Sequence, residues 1–144
     1  MRTNFIHLSL MLSLTLLLIP ACQNAEDDSQ IQAQVTGTLN IKDGNSLQDI
    51  SEAHVMLIDY SIADASYVLI AETSITELDH LPIEFSIPYN SAEIKESNFY
   101  GISASLIKVN GDGDEIEIYT STQSYPVLTN GFGDETHLIL EKIH

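Results

Sequence analysis

The residues able to do chemistry are few. The chain holds one cysteine, Cys22, and the histidines beyond it are His54, His80, His137 and His144. No two of these histidines stand at i, i+2 or i, i+4, the spacings that aim both rings at one metal from a single strand or helix. His54 and His137 fall on different expected strands, where a surface or half-buried imidazole is the ordinary outcome. A serine nucleophile of the hydrolase kind needs a sharp elbow such as G-x-S-x-G, and the chain has none. Gly101-Ile102-Ser103 sits inside a strand run, where the serine is a pleat residue. Glycine fingerprints for phosphate are missing too, and an all-β chain lacks the helix N-terminus they use. Asn110-Gly111-Asp112-Gly113-Asp114-Glu115 begins like a calcium loop. However, the sixth position is Glu115 instead of glycine and the twelfth is Ser121 instead of glutamate. It reads as a hairpin turn. The expectation is a non-enzyme with no cofactor and no metal.

Cys22 is a different case. Arg2 and the amino terminus supply positive charge, and residues 5–19 form an apolar run broken only by His7, Ser9, Ser13 and Thr15. That run falls short of the ~20 residues a spanning helix needs and matches the apolar region of a secretory signal. It ends in Leu18-Ile19-Pro20-Ala21-Cys22, which looks like a bacterial lipobox: a small residue before the cut and a cysteine after it. A lone thiol is a liability in an oxidising compartment, and a lipidated one is not. Acyl chains anchor firmly once two or more are present, at about 0.8 kcal/mol per buried CH₂. Gln23 follows where an aspartate would retain a lipoprotein at the inner membrane. By resemblance to sorting in Gram-negative bacteria, this implies an outer-membrane lipoprotein facing the periplasm, held to the membrane by lipid on Cys22.

Charge restricts the partners. Five Lys and Arg face 21 Asp and Glu, a formal charge of -16, and loss of Arg2 with the signal makes the remainder one charge more negative. Nucleic acid is excluded as a partner, because its phosphates require Lys and Arg to replace counterions. The length suits one domain. We therefore read residues 1–21 as signal peptide, 22–34 as the lipidated cysteine and a polar, flexible tether, and 35–144 as the domain.

The elements that must position everything else are strands. β-type runs are expected at 35–41, 53–60, 67–75, 83–89, 99–109, 115–120 and 136–142, with polar or Gly/Pro breaks between them. Ile83, Phe85, Ile87 and Tyr89 alternate with Glu84, Ser86 and Pro88, which predicts one buried and one wet face. Pro82 and Pro88 place that strand at a sheet edge. Within 91–97 a short helical turn capped by Ser91 is expected. Seven short strands in so short a domain predict an all-β, antiparallel two-sheet sandwich. Two runs, His54 to Tyr60 and Tyr67 to Ala71, are apolar on both faces. Central strands explain this, and so does an exposed patch of Met56, Ile58, Tyr60 and Ile70 that receives a partner.

Several segments together resemble the YbaY/YscW family of small bacterial lipoproteins. They are Leu57-Ile58-Asp59-Tyr60-Ser61-Ile62-Ala63-Asp64-Ala65, Val68 through Glu72, Leu81-Pro82-Ile83-Glu84-Phe85-Ser86-Ile87-Pro88-Tyr89 and Tyr125-Pro126-Val127-Leu128-Thr129-Asn130-Gly131. The resemblance spans roughly residues 35–140. It implies an immunoglobulin-like or transthyretin-like sandwich on a lipid anchor. Its best-understood branch is made of pilotins, lipoprotein chaperones that help a type III secretion secretin reach and assemble in the outer membrane. The expected partner is then a protein client, a secretin or another envelope protein. The family brings no catalytic residues, and Asp59 with Ser61 reads as a strand-end turn. The rival expectation is a small-molecule or glycan-binding accessory lipoprotein, for which Tyr119 and Tyr125 would be the surface pair.

Overall fold

The computed structural model describes residues 32–44 and 46–143. The signal peptide, Cys22 and the tether as far as residue 31 lie outside the described residues. Eight strands follow: β1 (Gln32–Ile41), β2 (Glu52–Asp59), β3 (Val68–Ile75), β4 (Ile83–Asn90), β5 (Tyr100–Val109), β6 (Glu115–Thr120), β7 (Pro126–Val127) and β8 (Glu135–Lys142). Each of the seven expected runs is a strand. The eighth, β7, has two residues and is too short to show alternation. β1 also starts before Val35, because Gln32, Ala33 and Gln34 pair with Asn90, Tyr89 and Pro88. The last three residues assigned to the tether are therefore strand. The short turn after β4 is a 3₁₀ turn, Ser91–Glu93, and its cap is Asn90 instead of Ser91, with the Asn90 side chain accepting from the Ala92 amide at 3.0 Å.

The sheet differs from the expected sandwich. Its strands run in the order β3-β2-β5-β6-β8-β1-β4, with β7 added on β5. β1 and β8 pair in parallel, Thr36 beside Glu135 through Ile41 beside Leu140, while the other pairs are antiparallel. β6 joins β8 through Tyr119 with Lys142 and Thr120 with Glu141. The result is one mixed sheet instead of two antiparallel ones. Its ends, β3 and β4, approach each other without bonding, so the sheet curls nearly into a barrel. Hydrophobic alternation decides which face a residue takes and says nothing of which strand it pairs with. The first and last strands meeting in parallel could not be read that way.

Alternation places the core. Ala53, Val55 and Leu57 on β2 are fully buried, as are Val35 and Leu39 on β1 and Leu106 on β5. On β4, Ile83, Phe85 and Ile87 point inward while Glu84, Ser86 and Pro88 are exposed, and the strand is a sheet end as its prolines require. Each such Val, Leu or Ile contributes about 1.5–3 kcal/mol by leaving water. Gly37 interrupts the inward row of β1, and the Phe85 ring fills its place: an added Cβ would meet Phe85 Cζ at 2.8 Å.

Candidate partner surface

β2 is an interior strand, between β3 and β5. Its inward residues are the buried ones, and Met56 and Ile58 stand half-buried on the outer face. Tyr60 follows beyond the strand end, 37% exposed, its amide donating to the Phe99 carbonyl at 3.0 Å. The two rings lie tilted, with centroids 6.3 Å apart. Met56, Ile58 and Tyr60 thus form one row. Ile70 does not join them. The β2–β3 register slips from Leu57 beside Ala71 to Ile58 beside Leu69, so Ile70 is the extra residue of a bulge and packs against the core. Leu69, 45% exposed, takes the place next to Ile58.

The row borders a hollow of about 210 Å³. Ile58 and Tyr60 form one wall, Gly101 and Ser103 of β5 the floor, and residues 121–125 the other wall. Gly101 is required here, since a Cβ would stand 2.9 Å from the Tyr60 ring and 3.2 Å from the Tyr125 carbonyl oxygen. A second hollow of about 200 Å³ at the same strand end is lined by Asp59, Ser61, Ile62, Ser66, Val68 and Asn98. Ile62, Tyr67, Val68 and Phe99 are all exposed around it. An apolar end of this kind on a strongly acidic domain suits a protein partner.

A polar network fixes that end. Asp59 accepts from the Ser61 amide at 2.9 Å, from the Ser61 hydroxyl, and from the Asn98 side chain at 2.7 Å. The Ser61 oxygen in turn accepts from the Phe99 amide at 2.8 Å. This is the strand-end turn expected for Asp59 and Ser61, tied in addition to the start of β5. The Asn98 carbonyl accepts from Thr129 Oγ1 at 2.6 Å and from Asn130 Nδ2 at 3.1 Å. Asn98 and Thr129 escaped the sequence reading. Asn130-Gly131 signals a turn, but nothing local says that the turn folds back on residue 98. Leu128 and Asn130 hold φ of 69° and 58°, in the left-handed region that asparagine adopts readily and leucine rarely.

Burial pushes the Asp59 carboxyl up, but the hydrogen bonds from Ser61 and Asn98, with Lys95 nearby, outweigh it and hold the group below its ordinary value. A depressed carboxyl stabilises the fold fully above the unfolded value of about 3.9 and loses that contribution as pH falls through the folded one. Asp59→Asn should therefore melt below the parent at pH 7, with the gap closing below about pH 4. Thermal melts across that range check this; a gap independent of pH would contradict it.

The tyrosines of the rival reading part company. Tyr119 is half-buried and lines a hollow with Ile50 and Lys108, whereas Tyr125 is 8% exposed and lines the hollow below Tyr60. The Tyr125 hydroxyl accepts from the Ile139 amide at 2.9 Å and from Gln123 at 2.8 Å, and donates to the Ile139 carbonyl at 3.0 Å. It clamps β8 and is no sugar platform. Tyr125→Phe strips both Ile139 groups of this partner, so a loss of about 1–3 kcal/mol is expected in chemical denaturation; an unchanged midpoint would contradict the clamp.

The histidines are also separate. His54 Nε2 lies 3.0 Å from Glu72 and His137 Nδ1 lies 3.0 Å from Thr38 Oγ1. Among the described residues no group of three acidic, His or Cys side chains converges on a metal position. Asn110 to Asp114 closes the β5–β6 hairpin, with the Asn110 side chain accepting from the Asp112 and Asp114 amides at 2.9 and 2.8 Å.

The family model described as the type III secretion system lipoprotein chaperone (YscW) matches residues 30–140. No curated protein matches the chain significantly. Among solved structures, an alternative pilotin from the type II secretion system of Vibrio cholerae is similar at 27% identity with a TM-score of 0.67, over 78% of this chain and 98% of that one. The family match covers β1 to β7 and β8 as far as Leu140, including the Asp59–Asn98–Thr129 network and the Met56, Ile58, Tyr60 row. This chain belongs to the YscW family of type III secretion system lipoprotein chaperones.

Proposed function

We propose that the chain is a pilotin-like lipoprotein, held at the periplasmic face of the outer membrane by lipid on Cys22, that escorts or assembles an envelope client of the secretin class. It acts by protein contact and not as an enzyme. The observation that carries this reading is the apolar strand end, where Tyr60 and Phe99 stand exposed beside Met56 and Ile58 on a domain that is otherwise acidic. Family membership and the likeness to a pilotin support it. Aromatic anchors of this type carry much of the energy in protein interfaces.

Titration of the full chain with the purified secretin of the same cell tests the proposal. Tyr60→Asp, at an exposed position, should keep the parent melt and weaken binding at least about tenfold, the scale of an interface hot spot. Absence of measurable binding by the unsubstituted chain would overturn it.

A further inference from the structure

The two ends of the sheet are protected differently. β4 carries Pro88 on an exposed position, and proline cannot donate to another strand. β3 has neither proline nor lysine, and among the described residues it pairs with β2 alone. Its blunting devices are the bulge at Ile70 and the single charge of Glu72, which turns away an acidic strand and admits a basic one. An edge that presents free backbone groups is a template for a further strand unless charge or proline blocks it. Here the run begins Val68-Leu69, and both residues are about half exposed, at 57% and 45%.

Charge says what kind of strand fits. No Lys or Arg occurs between Lys42 and Lys95, which covers all of β2, β3 and β4. Asp64 precedes this edge, Glu72 stands on it with more than half its side chain exposed, and Glu77 and Asp79 follow it. The cation beside Asp59 is Lys95, and the group paired with Glu72 is His54. A negative field with an unblocked apolar edge selects a basic, extended partner. A second copy of this chain would bring its own Asp64 and Glu72 against these carboxylates.

We propose that residues 68–72 of β3 take up an extended partner segment in which basic residues alternate with apolar ones. The basic side chains face Glu72 on the outer face, where their aliphatic stems cover Leu69, the apolar ones lie on the opposite face beside Val68, and backbone hydrogen bonds extend the sheet. This deepens the client-binding reading above and rests on it for the identity of the partner as a protein.

Hydrogen exchange on the full chain tests the inference with three synthetic probes: an eight-residue Lys-Val repeat, the same repeat with every amide N-methylated, and a Glu-Val repeat. The Lys-Val repeat should slow exchange at residues 68–72 by at least about tenfold through new backbone bonds, and the other two should not. Glu72→Lys should weaken that protection while leaving the melt unchanged. Equal protection by the N-methylated repeat, protection by the Glu-Val repeat, or no protection from any probe would each overturn the inference. Protection of the same residues in concentrated chain without probe would make a second copy the occupant and overturn it as well. Failure here alongside intact secretin binding, weakened by Tyr60→Asp, would reject edge capture and leave the client-binding reading standing.

Discussion

Gly37→Val should prevent the domain from folding stably. A side chain at this position would land on the Thr136 carbonyl oxygen and within 2.9 Å of the Phe85 ring. The ring can rotate away; the carbonyl belongs to the backbone of β8 and moves only with its strand. β8 must then leave β1, which breaks the parallel ladder joining the first and last strands. Among the described residues β1 is also the only strand paired with β4, so the disturbance reaches two strand pairs. We expect a loss of at least about 3 kcal/mol, the upper range for overpacking, against a total of about 5–15 kcal/mol for a domain of this kind. Gly111→Ala is the control. It lies in the β5–β6 turn with open space around its Cβ position, and should stay within about 0.5 kcal/mol of the parent. Urea unfolding of the two variants decides the matter. A Gly37→Val protein with the parent midpoint would show that β1 and β8 are not packed as described.

Cys22→Ser should have the largest effect on location and none on the domain. The hydroxyl does not accept the lipid that the lipobox reading requires, and without acyl chains the domain has little to hold it. Its surface charge repels anionic headgroups, so electrostatics will not substitute for the anchor. The variant should leave the membrane fraction and melt like the parent once purified. Sedimentation of envelopes followed by detection of the protein measures this. A variant that stays with the membranes would contradict lipid anchoring at Cys22.

Much of the architecture was legible because each strand must hide one face. The alternation on β4 gave its buried row, Pro82 and Pro88 gave its edge position, and Asn110 to Asp114 gave the β5–β6 hairpin. Pairing was less accessible. Nothing local in β1 says that its parallel neighbour is β8, 99 residues further along the chain, and the sandwich expectation failed there. The partner surface was half legible. Met56, Ile58 and Tyr60 fall on one face because residues two apart on a strand do so, whereas Ile70 left the patch through a bulge that strict alternation cannot express. Leu69 was the residue to name. Asn98 and Thr129 were invisible for a different reason: their roles arise from hydrogen bonds between distant loops, and a polar residue in a loop looks the same with or without a partner.

The acidic charge also gains a place. It leaves β2, β3 and β4 without a single Lys or Arg, so it acts on the side of the sheet where the apolar end lies. Charge of this kind speeds encounter with a basic partner and discourages self-association. Affinity would then come from the aromatic and aliphatic contacts at the strand end.

The most direct test of the central claim is made in cells, by measuring how much heat-resistant secretin multimer reaches the outer-membrane fraction. Deletion of this gene should deplete that multimer, and the full chain should restore it where Cys22→Ser and Tyr60→Asp do not. A multimer that forms and reaches the outer membrane equally well without the protein would contradict the account.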